Sequence, residues 1–208
     1  MARRLAGLLT RERELWATGI ERIAGVDEAG VGPLAGPLVA AAVVFPAGFG
    51  LPGVDDSKKL APELRRLLAV EIRATAVAFS VAIVEPEEID RINVYQATLA
   101  AMGRALDALS VRPQHVLVDA RRIPGCDLPQ ESIIKGDARC HAIAAASILA
   151  KTARDGMMVR YEDEYPGYGF AAHKGYPTPT HREAIRRLGP CPIHRRSFTL
   201  LPAPTLFE

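Results

Sequence analysis

The chain of 208 residues is most informative at first for what it lacks. No apolar run reaches the roughly 18 residues of a membrane span without a charge or proline breaking it. Cysteine is scarce: Cys126, Cys140 and Cys191 are odd in number and follow no CxxC spacing. That argues against a zinc cluster and for reduced thiols in a cytoplasmic setting. Charge of one sign is not in excess either, with 26 basic against 24 acidic residues and a net +2. A bulk electrostatic grip on a polyanion is therefore weak. The basic residues come instead in local pairs such as Lys58-Lys59, Arg121-Arg122, Arg186-Arg187 and Arg195-Arg196. The first 16 residues hold arginines but no apolar core with a cleavage site, so no secretory signal is expected. Internal repeats and low-complexity tracts are absent. There is no GxxxxGK[ST], and Gly30-x-Gly32-x₃-Gly36 misses the dinucleotide GxGxxG spacing by one. The acids directly before those glycines would repel a pyrophosphate.

What is present reads as an α/β domain. Residues 3–17 form an amphipathic helix by periodicity, and residues 22–27, 38–45 and 77–84 form three successive strands. Asp56-Ser57 can cap a helix over 61–74 with Pro62 in its first turn. Asp90–Leu109 reads as one helix with Ile92, Leu99, Met102, Leu106 and Leu109 inward, and 115–119 as a short buried strand. A strand at 132–135, an Ala-rich helix at 138–155, a structured loop at 161–179 and a last helix at Thr180–Leu188 follow. Three strands followed by alternating helices and strands imply a mixed sheet.

The chemistry lies in four acids at strand ends or a helix start: Asp27, Glu28, Asp119 and Asp137. Ligands of open α/β sheets collect at the carboxyl ends of strands, where these acids can converge. Each also has a structural reading: Asp137 as a helix N-cap, Asp119 as the first residue of a turn. Clustered carboxylates repel unless a divalent cation neutralises them, and an all-oxygen set favours Mg²⁺ or Mn²⁺ over zinc. Two such ions would suit in-line attack on a phosphodiester. One geometric difficulty arises. Neighbours in a strand point to opposite faces, so either the strand breaks at Ala29-Gly30 or one carboxylate reaches round its edge. Asp155, 18 residues after Asp137, would lie roughly 27 Å away on a continuous helix and is left out.

These motifs resemble the ribonuclease HII family over about residues 22–198. The resemblance rests on Asp27-Glu28-Ala29-Gly30, Gly32-Pro33-Leu34-Ala35-Gly36-Pro37, Asp56-Ser57-Lys58-Lys59-Leu60, Val118-Asp119-Ala120, Lys135-Gly136-Asp137, Ala144 to Lys151, and Tyr165 to Phe170 followed by His173-Lys174-Gly175-Tyr176. It implies a ribonuclease H-like fold, a five-stranded mixed sheet flanked by helices with a helical C-terminal extension. In a single 208-residue unit this would give an N-terminal helix (1–20), a core (22–155), the extension (156–198) and a tail (199–208). It implies a monomeric endonuclease cutting 5′ to ribonucleotides in RNA–DNA hybrids and at single ribonucleotides in duplex DNA. The ends left are 3′-hydroxyl and 5′-phosphate, and the role implied is removal of ribonucleotides from DNA. The family's four metal carboxylates match Asp27, Glu28, Asp119 and Asp137, with Mg²⁺ or Mn²⁺ as cofactor. Its loop that reads the 2′-hydroxyl matches Gly30-Val31-Gly32, and its sugar-packing tyrosine matches Tyr176. Lys58 and Lys59 are candidates for phosphate contact, or solvated residues of a helix start. Two positions depart from the pattern. Val31 stands where the family has arginine, which removes a cationic contact to the nucleic acid of about 1–3 kcal/mol and opens the alternative of a hybrid-binding protein with weakened activity. Pro177 stands where glycine is usual and should stiffen the loop that carries Tyr176. A C-terminal Pro204-Thr205-Leu206-Phe207 is apolar enough to dock on a replication clamp.

Overall fold

The computed structural model describes residues 2–202. Its centre is a five-stranded sheet in the order β3-β2-β1-β4-β5. β2 (Leu38–Val44) runs antiparallel to both β1 (Ile23–Ala29) and β3 (Ala78–Val84), while β4 (His115–Asp119) and β5 (Gln130–Ile133) continue parallel from β1. The expected mixed sheet is thus present. Every residue of β2 is buried. Its odd positions Val39, Ala41 and Val43 join a cluster with α3 (Pro62–Thr75) and α6 (His141–Glu164). Its even positions Leu38, Ala40, Ala42 and Val44 join one with α5 (Val94–Asp107) on the other face. Burial on both faces explains why the strand reads as an unbroken apolar run. α6 lies so close to β1 that a Cβ on Gly25 would meet the Ala142 carbonyl carbon at 2.1 Å. Only glycine fits there, and the close approach brings α6 beside the acids two residues on.

Several boundaries differ from the sequence reading. Residues 3–17 divide into α1 (Ala2–Leu8) and α2 (Thr10–Ala17). The helix expected over Asp90–Leu109 is two, α4 (Pro86–Ile92) and α5, separated by Asn93 at φ 66°. The Asn93 side chain accepts from the N–H groups of Tyr95 and Gln96, so a cap interrupts an apolar pattern that periodicity carries straight through. Asp56 and Ser57 do not cap α3, whose N-cap is Ala61 with no side-chain bond. Asp56 instead accepts from Lys58 N–H, and Ser57 pairs with the Ser147 hydroxyl at 2.9 Å. β5 ends at Ile133, before the span expected for it closes. α6 starts at His141, not 138, and continues to Glu164 through position 155. The segment read as a loop at 161–179 therefore begins as helix and also holds a short α7 (Phe170–His173) before α8 (Pro179–Leu188). No helix among the described residues is long and apolar enough to cross a membrane, and the three cysteines are free. The apolar motif at Pro204 lies outside the described residues.

Candidate active site

Asp27 and Glu28 sit within regular β1, paired to Ala41 and Ala40 of β2. The strand does not break before Ala29, so the second geometric option applies. On the other edge, the β1–β4 ladder ends at Val26 with Val118. The next rung would set Asp27 beside Asp119, and there β4 stops. Ala120 follows at φ 52°, a left-handed turn that an alanine takes only at a cost and that ends the strand sharply. Strand alternation puts Asp27 on the α6 side and Glu28 on the α5 side. At the end of β4 nothing separates the two faces. One carboxylate oxygen each of Asp27, Glu28 and Asp119 comes within 4.8 Å of the others.

Burial holds Asp27 well above the usual carboxylate range, and the charges of Glu28 and Asp119 push it further. Glu28 is likewise raised by burial, with Arg121 pulling against and Asp119 adding to the shift. Donors are few. Asp27 Oδ1 accepts Glu28 N–H at 2.7 Å and a bond from the Ser147 side chain that pulls its carboxyl down, and Asp119 Oδ1 accepts Gly136 N–H at 2.6 Å. Glu28 Oε2 is buried with no partner. An orphaned carboxylate oxygen among raised carboxyls is what a hard divalent cation would satisfy, so the donor set fits Mg²⁺ or Mn²⁺. Asp137, expected as the fourth ligand, stands beside this trio and not within it. It lies in a 3₁₀ turn (Gly136–Ala138), so it is not the N-cap of α6. Its Oδ2 is 3.9 Å from Lys58 Nζ, and its carboxyl is raised by burial and by Asp56, against the pull of Lys58.

The acids open into a cleft of about 350 Å³ lined by Glu28, Gly30, Val31, Gly32, Lys58 and Tyr176 among others. The two lysines part here. Lys58 reaches the cleft, whereas exposed Lys59 pairs with Asp56 at 3.6 Å and does not line it. The Tyr176 ring faces the glycine loop, with Cε1 4.0 Å from where a Cβ on Gly32 would lie. Lys151 Nζ stands 5.7 Å from the same ring. Pro177 occupies the middle of a tight turn closed by Thr178 N–H to Tyr176 O at 2.8 Å, a place its fixed φ suits. Val31 is half-buried and packs against the apolar cluster on the α5 side of the sheet. Ala29, Ser57, Arg65, Ser147 and Lys151, which sequence reasoning did not assign to the site, also line the cleft. Lys151 and Ser147 fall in a motif already quoted; Arg65 carries no local signal. Asp155, left out above, is engaged by Arg65 Nη2 at 2.9 Å and Lys151 Nζ at 2.6 Å, away from the acid trio.

A five-stranded mixed sheet with carboxylates converging at the end of its central strands defines a ribonuclease H-type hydrolase, and the solved structures agree. Ribonuclease H2 from Pyrococcus horikoshii OT3 superimposes with a TM-score of 0.74 at 29% identity, over 86% of this chain and 94% of that one. The ribonuclease HII in the PCNA:RNase HII complex from Archaeoglobus fulgidus gives 0.72 at 26% identity, over 88% and 98%. Ribonuclease HII of Myxococcus xanthus (strain DK1622) is 61% identical over 94% of this chain and 67% of its own length. The ribonuclease HII family model matches residues 24–201. The chain belongs to the ribonuclease HII family. It is an endoribonuclease with ribonuclease H activity on RNA–DNA hybrids.

Proposed function

We propose that the chain cuts the phosphodiester 5′ to a ribonucleotide, both in hybrids and at single ribonucleotides embedded in duplex DNA, leaving 3′-hydroxyl and 5′-phosphate ends. The convergence of Asp27, Glu28 and Asp119, with Glu28 Oε2 unpartnered, carries this reading. These three carboxylates would hold Mg²⁺ or Mn²⁺, with Asp137, paired to Lys58, as the fourth candidate ligand. When bound, such ions neutralise the scissile phosphate and acidify an attacking water, the two-ion chemistry of phosphodiester hydrolysis. The remaining work falls to the chain. Lys58 meets a backbone phosphate from the acid side; Lys59, held by Asp56, makes at most an outer contact. Gly30, Val31 and Gly32 present backbone to the ribose and its neighbouring phosphate, and the 2′-hydroxyl is the group by which RNA differs from DNA there. Tyr176 packs on the sugar from across the cleft. The role is removal of ribonucleotides from DNA by a cytoplasmic monomer. The relative from Archaeoglobus fulgidus was solved with PCNA, and the apolar C-terminal tail of this chain is the segment proposed to meet a clamp. Unchanged clamp binding after deletion of residues 200–208 refutes that.

The test is Mn²⁺- and Mg²⁺-dependent cleavage of a duplex with one ribonucleotide, a long hybrid and a matched all-DNA duplex. Asp119→Asn should lower cleavage at least about 10³-fold with the fold intact. Near-wild-type activity in that variant refutes the site. Val31→Arg should tighten substrate binding about tenfold and steepen its salt dependence by about one ion. Binding without cleavage by either ion would favour the alternative, a hybrid-binding protein weakened at Val31.

A further inference from the structure

Two guanidiniums lie behind the glycine loop, each wholly buried. Arg195 donates to the carbonyls of Gly30 (Nη2, 2.6 Å), Val31 (Nη1, 3.1 Å) and Gly36 (Nε, 3.0 Å). Arg154 donates to those of Pro37 (2.9 Å), Ala35 (3.0 Å) and Lys174 (3.0 Å). Neither forms an ion pair among the described residues. Asp90, the acid that favours the Arg195 charge, is bonded to Arg196 N–H and to the N–H and hydroxyl of Ser197. A buried cation without a carboxylate is costly to keep, so each guanidinium depends on the three carbonyls it satisfies.

Tethering the C-terminal segment does not require the Arg195 guanidinium. Backbone bonds already do that: Gly36 N–H to Ile193 O and Arg195 N–H to Leu34 O, both 2.8 Å. The side chain reaches further, to two carbonyls outside that ladder. In a trans peptide the C=O and the following N–H point in opposite directions, and no cis bond occurs among the described residues. Holding the Gly30 and Val31 oxygens inward therefore turns the Val31 and Gly32 N–H groups outward to the cleft that these residues line. Neither N–H donates to a protein acceptor among the described residues. The φ of +97° at Gly30, which a side chain would resist, is part of the same arrangement. Successive outward amides make a concavity for an anion or a hydroxyl oxygen.

We propose that Arg195 is a positioning residue for ribose selection: its grip on the Gly30 and Val31 carbonyls aims the Val31 and Gly32 amides at the 2′-hydroxyl and its neighbouring phosphate. The inference rests on the reading of this loop given under Proposed function.

The experiment compares equilibrium binding, in EDTA, of a duplex with one ribonucleotide and its all-DNA match. Wild type should favour the ribonucleotide duplex. Arg195→Lys keeps the charge but cannot hold three carbonyls in one plane. Its preference should fall about tenfold or more, with all-DNA affinity within about twofold and Mn²⁺ binding by the acids retained. A variant that only loosened the fold would lose both affinities together, which overturns the proposal. A retained preference in Arg195→Lys overturns it while leaving the loop reading intact; no preference in wild type overturns both. Should Arg195→Lys not fold, Asp90→Asn decides, since it frees the Arg196-Ser197 segment and leaves the guanidinium present. The preference should then fall about threefold, and an unchanged ratio overturns the proposal.

Discussion

At the sheet end three carboxylates share a space with few donors, whereas behind the glycine loop two guanidiniums share one with carbonyls on several sides. Both groups are ionisable and largely buried. The difference lies in what a backbone can offer each ion. A guanidinium has five directed donors, and irregular chain supplies carbonyls to meet them; Arg154 and Arg195 each find three. A carboxylate needs N–H groups, and at a strand end most of these are already in the ladder. Asp27 finds Glu28 N–H, Asp119 finds Gly136 N–H, and Glu28 Oε2 finds none. The cationic region is thus complete as folded, and the acidic one is left open to a ligand.

The largest effect is expected where a satisfied cation is removed. Arg154→Met should destabilise the chain by about 3–5 kcal/mol, because three buried carbonyls lose their donor and the loop parts from the segment around Lys174. Denaturant unfolding measures it. A loss under about 1 kcal/mol would mean that water replaces the guanidinium freely and that the region is not closed.

How much of this was legible in the sequence follows from the same contrast. The acids were readable because two adjacent carboxylates at the end of an apolar strand, and a third after Val-Leu-Val, have little structural use. β2 and β4 were readable because burial on both faces leaves an unbroken apolar run. The arginine pair was not readable, because a guanidinium bonded to carbonyls has no partner at a recognisable spacing. Arg195 lies 159 to 165 residues from its acceptors. The break at Asn93 was hidden for another reason: apolar periodicity continues across it, and only the two N–H bonds to its side chain end one helix and start the next. The standing of Asp137 beside the acid trio, with Lys58 at its carboxylate, is tertiary and has no local mark.

A second, smaller effect lies in the histidines that abut the cationic region. Cys191 N–H donates to His194 Nδ1 at 3.0 Å, His194 and His181 meet through Nε2 atoms 3.1 Å apart, and His181 Nδ1 lies 2.9 Å from Tyr176 O. Only neutral rings fit: His194 Nε2–H donates to His181 Nε2, and His181 Nδ1–H donates to Tyr176 O. A proton added to either ring sets two donors face to face. Burial accordingly lowers His181 to about 4 and also lowers His194. A depressed folded pKa stabilises above the unfolded value near 6.5 and is lost as pH falls toward 4. For His181 the loss is roughly 3 kcal/mol across that window, at about 1.4 kcal/mol per pH unit. Asp27 and Glu28 act oppositely, since burial raises both carboxyls and protonation relieves that cost on acidification. Urea unfolding at pH 7 and pH 5 should show lower stability at pH 5 in wild type and a smaller drop in His181→Asn. Equal drops would remove the histidine relay from the account.

The smallest expected effect tests the open end directly. Asp27 is raised well above its ordinary value by burial, Glu28 and Asp119, so ionising it costs the metal-free fold stability. The sign follows from linkage: a carboxyl that binds its proton more tightly when folded favours the fold at low pH, and that favour is gone once pH passes its folded pKa. Asp27→Asn keeps the shape and removes the charge. In EDTA at pH 7 it should gain about 1 kcal/mol, a Tm rise of roughly 2–4 °C for a chain of this size. Added Mn²⁺ stabilises whichever form binds it, by about 2.7 kcal/mol at a hundred times the dissociation constant. Wild type should therefore rise with Mn²⁺ and overtake a variant that rises little. If Asp27→Asn is the less stable form in EDTA, the acids are held by donors after all and the contrast with Arg195 fails. If both forms rise equally with Mn²⁺, the ion binds elsewhere and Asp27 is not its ligand.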